Sequence, residues 1–204
     1  VDDLVNKNAE VFKNLTRSLN LSNDDFIRTS IEERHIRGSQ KLWLACKKED
    51  IYKKKYKGLY CVGCEEFKTE RQLKTRECDE HSGKRLEVVE EENYFFKLSK
   101  YQDKLLKFYE DNPHFITPKE RAAEVVSFVK GGLQDLSISR TGITWGIPFP
   151  GDEKHVTYVW ADALNNYITA IGYAQKDKQA DFEKWWPADV QVIGKDIVRF
   201  HAIY

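Results

Sequence analysis

Two short-spaced pairs hold the clearest chemistry in the sequence: Cys61-x-x-Cys64 and, thirteen residues further on, Cys78-x-x-His81. Two intervening residues let a turn aim both side chains of a pair at one point. Two such turns supply the thiolate and imidazole donors of a tetrahedral zinc site. With Cys61, Cys64, Cys78 and His81 all used, no position stays open and the metal is structural. Cys46 is the rival fourth ligand, although it ends the apolar helical run Leu42 to Cys46, where a buried thiol is the simpler reading. A chance cluster or a disulfide is the competing account of the set.

A second group lies in the last third. Trp160, Ala163, Leu164 and Tyr167 fall at a strand end and on the helix after it, where Ala163 and Tyr167 are one turn apart. They could wall an apolar, aromatic pocket with one hydroxyl. Ile197 and His201 are one turn apart on the next helix. Asp196 stands at that helix's N-terminal end, where the helix dipole favours an ionised carboxylate able to receive an ammonium group. Each feature has a plainer account: core aromatics, a helix cap, a structural histidine. Their joint placement at C-terminal strand ends of a parallel sheet favours a site.

Lys47, Lys48, Lys53, Lys54, Lys55 and Lys57 flank the cysteine unit and could meet a phosphate backbone. Lysine-rich edge strands are more commonly solvated guards against aggregation. Lys+Arg and Asp+Glu both number 33, so no overall basic field points to nucleic acid. Hydrophobic residues make up 41% of the 204, enough to build a core. No apolar run approaches the roughly 20 residues of a membrane helix, and no signal-peptide start is present. Four cysteines, three of them in metal-like spacing, suit a reducing compartment. The chain is read as cytoplasmic, without a membrane. It lacks methionine and opens on Val1, which reads as a piece of a larger protein.

The elements that must position these residues follow from periodicity. Leu4, Val5, Val11, Phe12, Leu15 and Leu19 predict an amphipathic helix over the first twenty residues. A short strand is expected at Asp25 to Arg28. Ser30 and Glu33 have capping-box spacing and open a helix to about Lys48, with Gly38 weakening its middle. Ile51 to Leu98 reads as a small β-rich unit, in which Leu86 and Val88 alternate as on a half-buried strand. Ser99 caps a helix over Lys100 to Asn112. Thr117, Pro118 and Glu120 start another that stops at Gly131 and Gly132. Strands follow at Ser137 to Arg140 and His155 to Trp160, then a helix from Ala163 to Ile171 capped by Asp162. Val190 to Gly194 predicts a buried strand of a parallel sheet running into a helix. Residues alone thus define a zinc-containing α/β ligand-binding domain.

Longer stretches carry a resemblance. Asp25-Phe-Ile-Arg-Thr29 with Glu33-Arg-His35, Gly58-Leu-Tyr-Cys-Val-Gly-Cys64, Asn93-Tyr-Phe-Phe96 and Leu136-Ser-Ile-Ser-Arg140 come first. Trp145-Gly-Ile-Pro148, Tyr158-Val-Trp-Ala-Asp-Ala163 and Ile193-Gly-Lys-Asp-Ile197 follow. In this order they resemble methionyl-tRNA synthetases over almost the whole chain. The resemblance implies an α/β fold: a Rossmann-like class I catalytic domain interrupted by a small connective domain with a zinc knuckle. Residues 1–50 would end its first half, 51–135 form the insertion and its helical linker, and 136–204 begin the second half.

The implied activity is ATP-dependent formation of methionyl-adenylate, with Mg2+, and transfer of the methionyl group to tRNA-Met. By match to the family, Asp196 binds the substrate ammonium and Arg140 orients Asp196, the two residues nearest the chemistry. Trp160, Ala163, Leu164, Tyr167, Ile197 and His201 line the methionine pocket, with Tyr167 and His201 near the sulfur. Leu164 stands where part of the family carries proline, and Ala161 where a larger residue is common. The family's HIGH-type and KMSKS-type ATP motifs are absent from the sequence, so this chain alone is expected to be inactive. The alternatives are a non-enzymatic zinc-ribbon module and another class I synthetase. Those for leucine, isoleucine and valine have editing domains too large for an insertion of this size, and that for cysteine shares the split fold.

Overall fold

The computed structural model describes residues 2–63, 66–68, 77–78 and 81–204, with the backbone alone at 66, 67 and 81–85. Contacts divide the chain into two units, Val1–Leu42 with Asn165–Ala188, and Trp43–Leu164 with Asp189–Tyr204.

In the first unit, helix α1 spans Asp2–Ser18, as the apolar spacing predicts, with acidic residues in its first turn and Arg17 in its last. None of its described residues is buried, and Leu4, Val11 and Phe12 are exposed. The expected strand at Asp25 to Arg28 is not formed. The Asp25 carboxylate bonds locally instead, accepting from Phe26 N–H at 2.8 Å and from both terminal nitrogens of Arg34 at 2.7 and 3.1 Å. Short acidic side chains that bond nearby backbone compete with a ladder in this way.

Helix α2 covers Glu33–Ala45 and begins later than the Ser30 box implies. Glu32, not Ser30, organises the entry: its carboxylate accepts from Arg28 N–H at 2.5 Å and its carbonyl accepts from His35 N–H at 2.9 Å. Gly38 sits mid-helix because a neighbour leaves no room. A Cβ there would overlap the methyl group of Thr169, in helix α6 (Asn166–Thr169). On either side of it, His35 Nδ1 lies 2.7 Å from Thr169 Oγ1, and Asn165 Nδ2 donates to Ser39 Oγ at 3.0 Å. Buried polar groups are thereby paired, which avoids the cost of leaving them dry and unbonded.

The second unit is built on a long antiparallel arm. Strand β1 (Ile51–Cys61) pairs with β5 (Glu87–Phe96) from Ile51 opposite Phe96 to Tyr60 opposite Glu87. Short strands β2 (Glu66–Lys68) and β6 (Leu136–Ser137) extend the sheet in the order β2-β1-β5-β6. Strand β3 (Glu77–Cys78) pairs with β4 (His81–Arg85), and β7 (Ser139–Arg140) with β8 (Val156–Thr157). Every described pairing is antiparallel. Val88 on β5 is 65% exposed, so the alternation there marks a strand on which this apolar side chain faces outward.

Helices α3 (Gln102–Asp111) and α4 (Lys119–Lys130) pack together and α4 packs on α8 (Val198–Ile203), enclosing Leu98, Tyr109, Val125, Val129 and Ile203. Ser99 is not the cap of α3. Its hydroxyl donates to Asp135 at 2.6 Å. The α4 stop is the expected one, since Gly132 takes φ +101°, a conformation side chains with a Cβ avoid. A second cluster gathers Ile138, Phe149, Tyr158 and Ala161 beneath the arm.

Three sequence expectations fail in the last third. His155 to Trp160 is strand only at Val156–Thr157, because the chain turns into helix α5 at Val159–Asp162. The helix after it breaks into a 3-10 turn, Ala163–Asn165, and α6. Val190 to Gly194 forms no strand, and Val192 is 94% exposed. No described strand pairs with that run. An apolar stretch without ladder partners has nowhere to bury its side chains. The expected parallel strand pairing is therefore not seen among the described residues. Helix α7 (Gln179–Trp185) belongs to the first unit.

Candidate functional site

Cys61 ends β1 and Cys78 lies in β3, and their exposures are 1% and 2%. The residue opposite Cys78 in the β3–β4 register is His81. Cys64 and the His81 side chain lie outside the described residues. Among those described, no group of three metal-ligating side chains comes together. The two visible cysteines still fit the predicted donor set: both are buried, and a cross-strand register sets the third beside the fourth. Cys46 follows α2, where burial pushes its thiol pKa up, with the negative charge of Asp50 adding to the shift.

The lysines do not form a bare cationic stripe. Lys53 pairs with Asp152 at 3.0 Å, and Lys57 approaches Glu90 at 3.8 Å across the arm. Cross-strand opposite charges such as Lys57 and Glu90 stabilise the ladder.

Trp160 in α5 and Phe200 in α8 stack at 4.0 Å between centroids. Trp160 Nε1 is buried and makes no hydrogen bond. Ala163 and Leu164 follow on the 3-10 turn and are half-buried. Ile197 and His201 are also half-buried, and His201 Nδ1 lies 2.9 Å from the Ile197 carbonyl. A carbonyl only accepts, so Nδ1 carries the proton. Trp160 and the helix of His201 are thus brought together through Phe200, a residue the sequence reading did not single out. Tyr167 belongs to the first unit, where burial raises its pKa.

Asp196 is exposed and lines a polar groove of about 610 Å³ with Arg121, Glu124, Phe128, Lys195 and Arg199. It makes no hydrogen bond or ion pair among the described residues. Arg140 is elsewhere engaged. Its Nε donates to Glu91 Oε2 at 2.8 Å and its Nη2 to Glu91 Oε1 at 3.3 Å, with side chains only 6% and 8% exposed. The guanidinium lies 4.2 Å from the centroid of the Tyr60 ring. No contact between Arg140 and Asp196 is present among the described residues, and the partner of Arg140 is Glu91. Burial pushes the Glu91 pKa up, but hydrogen bonds from Arg140 and Asn93 outweigh it and hold the carboxyl below its ordinary value. For Arg140, burial lowers the pKa while Glu91 raises it, and the net shift is upward. Removing one partner of such a buried pair costs about 3–5 kcal/mol. A glutamate and an arginine 49 residues apart leave no local signal, which is why sequence reading missed Glu91.

The sequence model described as "tRNA synthetases class I (M)" matches residues 1–87 and 77–204. The chain belongs to this family, the methionine members of the class. It is 54% identical over 208 residues to a methionine–tRNA ligase of Brucella suis, covering 99% of this chain and 39% of that protein. A methionine–tRNA ligase of Clostridium tetani is 52% identical over 96% of this chain and 30% of its own length. The crystal structure of Mycobacterium tuberculosis methionyl-tRNA synthetase bound by methionyl-adenylate superposes with a TM-score of 0.92 at 44% identity, over 100% of this chain and 41% of that one. The free form of that enzyme gives 0.87 at 46% identity, again over 100% and 41%. The chain therefore spans about two fifths or less of the length of these relatives.

Proposed function

We propose that the protein containing this chain is a methionine–tRNA ligase. The observation that carries this reading is identity of about half over 99% of the chain to ligases of that name, joined to the 0.92 superposition on a methionyl-adenylate complex. In the reaction, a methionine carboxylate oxygen bonds to the α-phosphorus of ATP as the bond to pyrophosphate breaks. A ribose hydroxyl of tRNA-Met then displaces AMP from the acyl carbon. Mg2+ accompanies ATP and screens its charge. No protein nucleophile is required, so rate comes from positioning and from charge stabilisation.

Within that reading Asp196 receives the substrate ammonium, and Trp160, Ala163, Leu164, Ile197 and His201 line the methionine side chain. Tyr167 is retained on sequence grounds. A thioether gains from aromatic contact and accepts hydrogen bonds only weakly, which suits such a lining. Cys61, Cys64, Cys78 and His81 hold one structural zinc, which ties the ends of the short strands together when bound. Residues 51–135 form the connective insertion between catalytic halves that end near 50 and resume near 136. The ligase works in the cytoplasm, and among the described residues no helix is long and apolar enough to cross a membrane. Methionine-dependent exchange of pyrophosphate into ATP by the full-length protein tests the reading, with isoleucine and cysteine as controls. Exchange supported equally by those amino acids would overturn it.

A further inference from the structure

Strand β7 is pinned on both faces by the arm. On one face the Ser139 hydroxyl accepts from Tyr94 N–H at 2.9 Å and lies 3.0 Å from His155 Nδ1. Burial lowers the His155 pKa below the ordinary imidazole value. On the other face Arg140 is clamped by Glu91, as described above. Between them, Ile138 N–H donates to the Tyr94 carbonyl at 2.9 Å. Glu91 itself is fully occupied. It accepts from Arg140 twice, from Asn93 Nδ2 at 3.1 Å and from Gly142 N–H at 3.1 Å. A Cβ on residue 142 would overlap Glu91 Oε1, so the carboxylate would have to shift.

We propose that Glu91 is a positioning residue for methionine activation, acting from the β1–β5 arm by holding the Arg140 guanidinium in one orientation. A bidentate carboxylate, an aromatic ring behind the guanidinium and near-complete burial leave the arginine one geometry. Its orientation is then set by the seating of the arm, an element whose tip carries the cysteines far along the sequence from Arg140. The inference rests on the ligase reading together with the role that the methionyl-tRNA synthetase resemblance implies for Arg140, that of orienting Asp196.

The test uses the full-length ligase and three variants: Glu91→Gln, which keeps the shape but not the charge, Gly142→Ala, which displaces the carboxylate without touching either partner, and Arg140→Ala. Methionine activation by Glu91→Gln and by Gly142→Ala is expected to fall at least about tenfold in kcat, with KM for ATP changed less than about twofold. Because Glu91 acts through Arg140, Glu91→Gln combined with Arg140→Ala should be no slower than Arg140→Ala alone. A slowly exchanging Arg140 Nε–H resonance in the parent should broaden or vanish in Glu91→Gln. Activity within twofold of the parent in both Glu91→Gln and Gly142→Ala, or losses that multiply in the double variant, would overturn the proposal. A parent that shows no methionine-dependent exchange overturns the ligase reading instead. In that case the Arg140 resonance still decides whether Glu91 fixes the guanidinium.

Discussion

The indole of Trp160 lies flat on the phenyl ring of Phe200, with 15° between planes and 4.0 Å between centroids. Phe200 also meets Tyr204 edge-on at 5.4 Å. Stacked and edge-to-face aromatic pairs add about 0.5–1.5 kcal/mol beyond the area they bury. Phe200→Ala should therefore lower stability by roughly 2–3 kcal/mol, the stacking contribution together with a partly filled cavity. Urea unfolding checks this, and Trp160 emission should shift to longer wavelength as water reaches the indole. An unfolding midpoint unchanged from the parent would mean the stack contributes nothing.

The cysteines give a second expectation. Protein prepared without chelator should contain one zinc per chain, and replacing Cys61 and Cys78 together by serine should abolish it. Both residues are almost fully buried, so their serine hydroxyls would also be left in a dry site. Loss of metal is expected to unfold the short strands β2 to β4 while helices α3 and α4 keep their helical signal, because metal binding and local folding are coupled. Zinc retained in full by the double variant rejects the ligand set.

A third expectation concerns pH. Asp50, buried where β1 begins, accepts from Lys100 Nζ and from Tyr101 OH, both at 2.5 Å, while its carbonyl accepts from Lys97 N–H at 2.8 Å. The Lys100 hydrogen bond is the main cause of a lowered Asp50 pKa, followed by Tyr101. A carboxyl depressed on folding contributes stability that is present above its unfolded value of about 3.9 and disappears as pH falls through the folded value. Thermal midpoints of the parent should thus decline below about pH 4 more steeply than those of Asp50→Asn, which should be less stable at pH 7. Parallel curves for the two proteins would show that Asp50 is not titrating in a folded-state pair.

What the sequence made legible was local. Helical spacing from Leu4 to Leu19 found α1, the Gly131-Gly132 stop found the end of α4, and the lysine- and glutamate-rich stretch found the arm. Nothing in that spacing says what covers an apolar stripe, so the exposure of Val11 and Phe12 was not foreseeable. Capping residues misled at Ser30 and Ser99: the Glu32 carboxylate, which accepts from Arg28 N–H, organises the entry to α2, and the Ser99 hydroxyl donates to Asp135 instead of accepting from a helix N–H. The strand at Val190 to Gly194 failed for a different reason. A parallel strand is defined by partners far away in sequence, and the described residues supply none to it. Site residues followed the same division. Trp160 and His201 stood out by type and spacing, whereas Phe200 and Glu91 emerge only from contacts made across the fold.

Asp196 supports the sharpest expectation for catalysis, made for the full-length ligase. It precedes α8, is exposed, and has no hydrogen-bond partner among the described residues, so its carboxylate is available to a substrate ammonium. Replacement by asparagine keeps the size and removes the charge. A charge-assisted hydrogen bond contributes roughly 1.5–3 kcal/mol, and an ammonium left poorly paired in a closing site adds to the loss. Since about 1.4 kcal/mol is a factor of ten, activation of methionine by Asp196→Asn should fall at least about tenfold in kcat/KM. Zinc content and the unfolding midpoint should stay at parent values, because Asp196 holds no partner whose loss would loosen the fold. Methionine-dependent pyrophosphate exchange measures the first and metal analysis with urea unfolding the second. Exchange within about twofold of the parent would reduce Asp196 to a residue that merely precedes a helix.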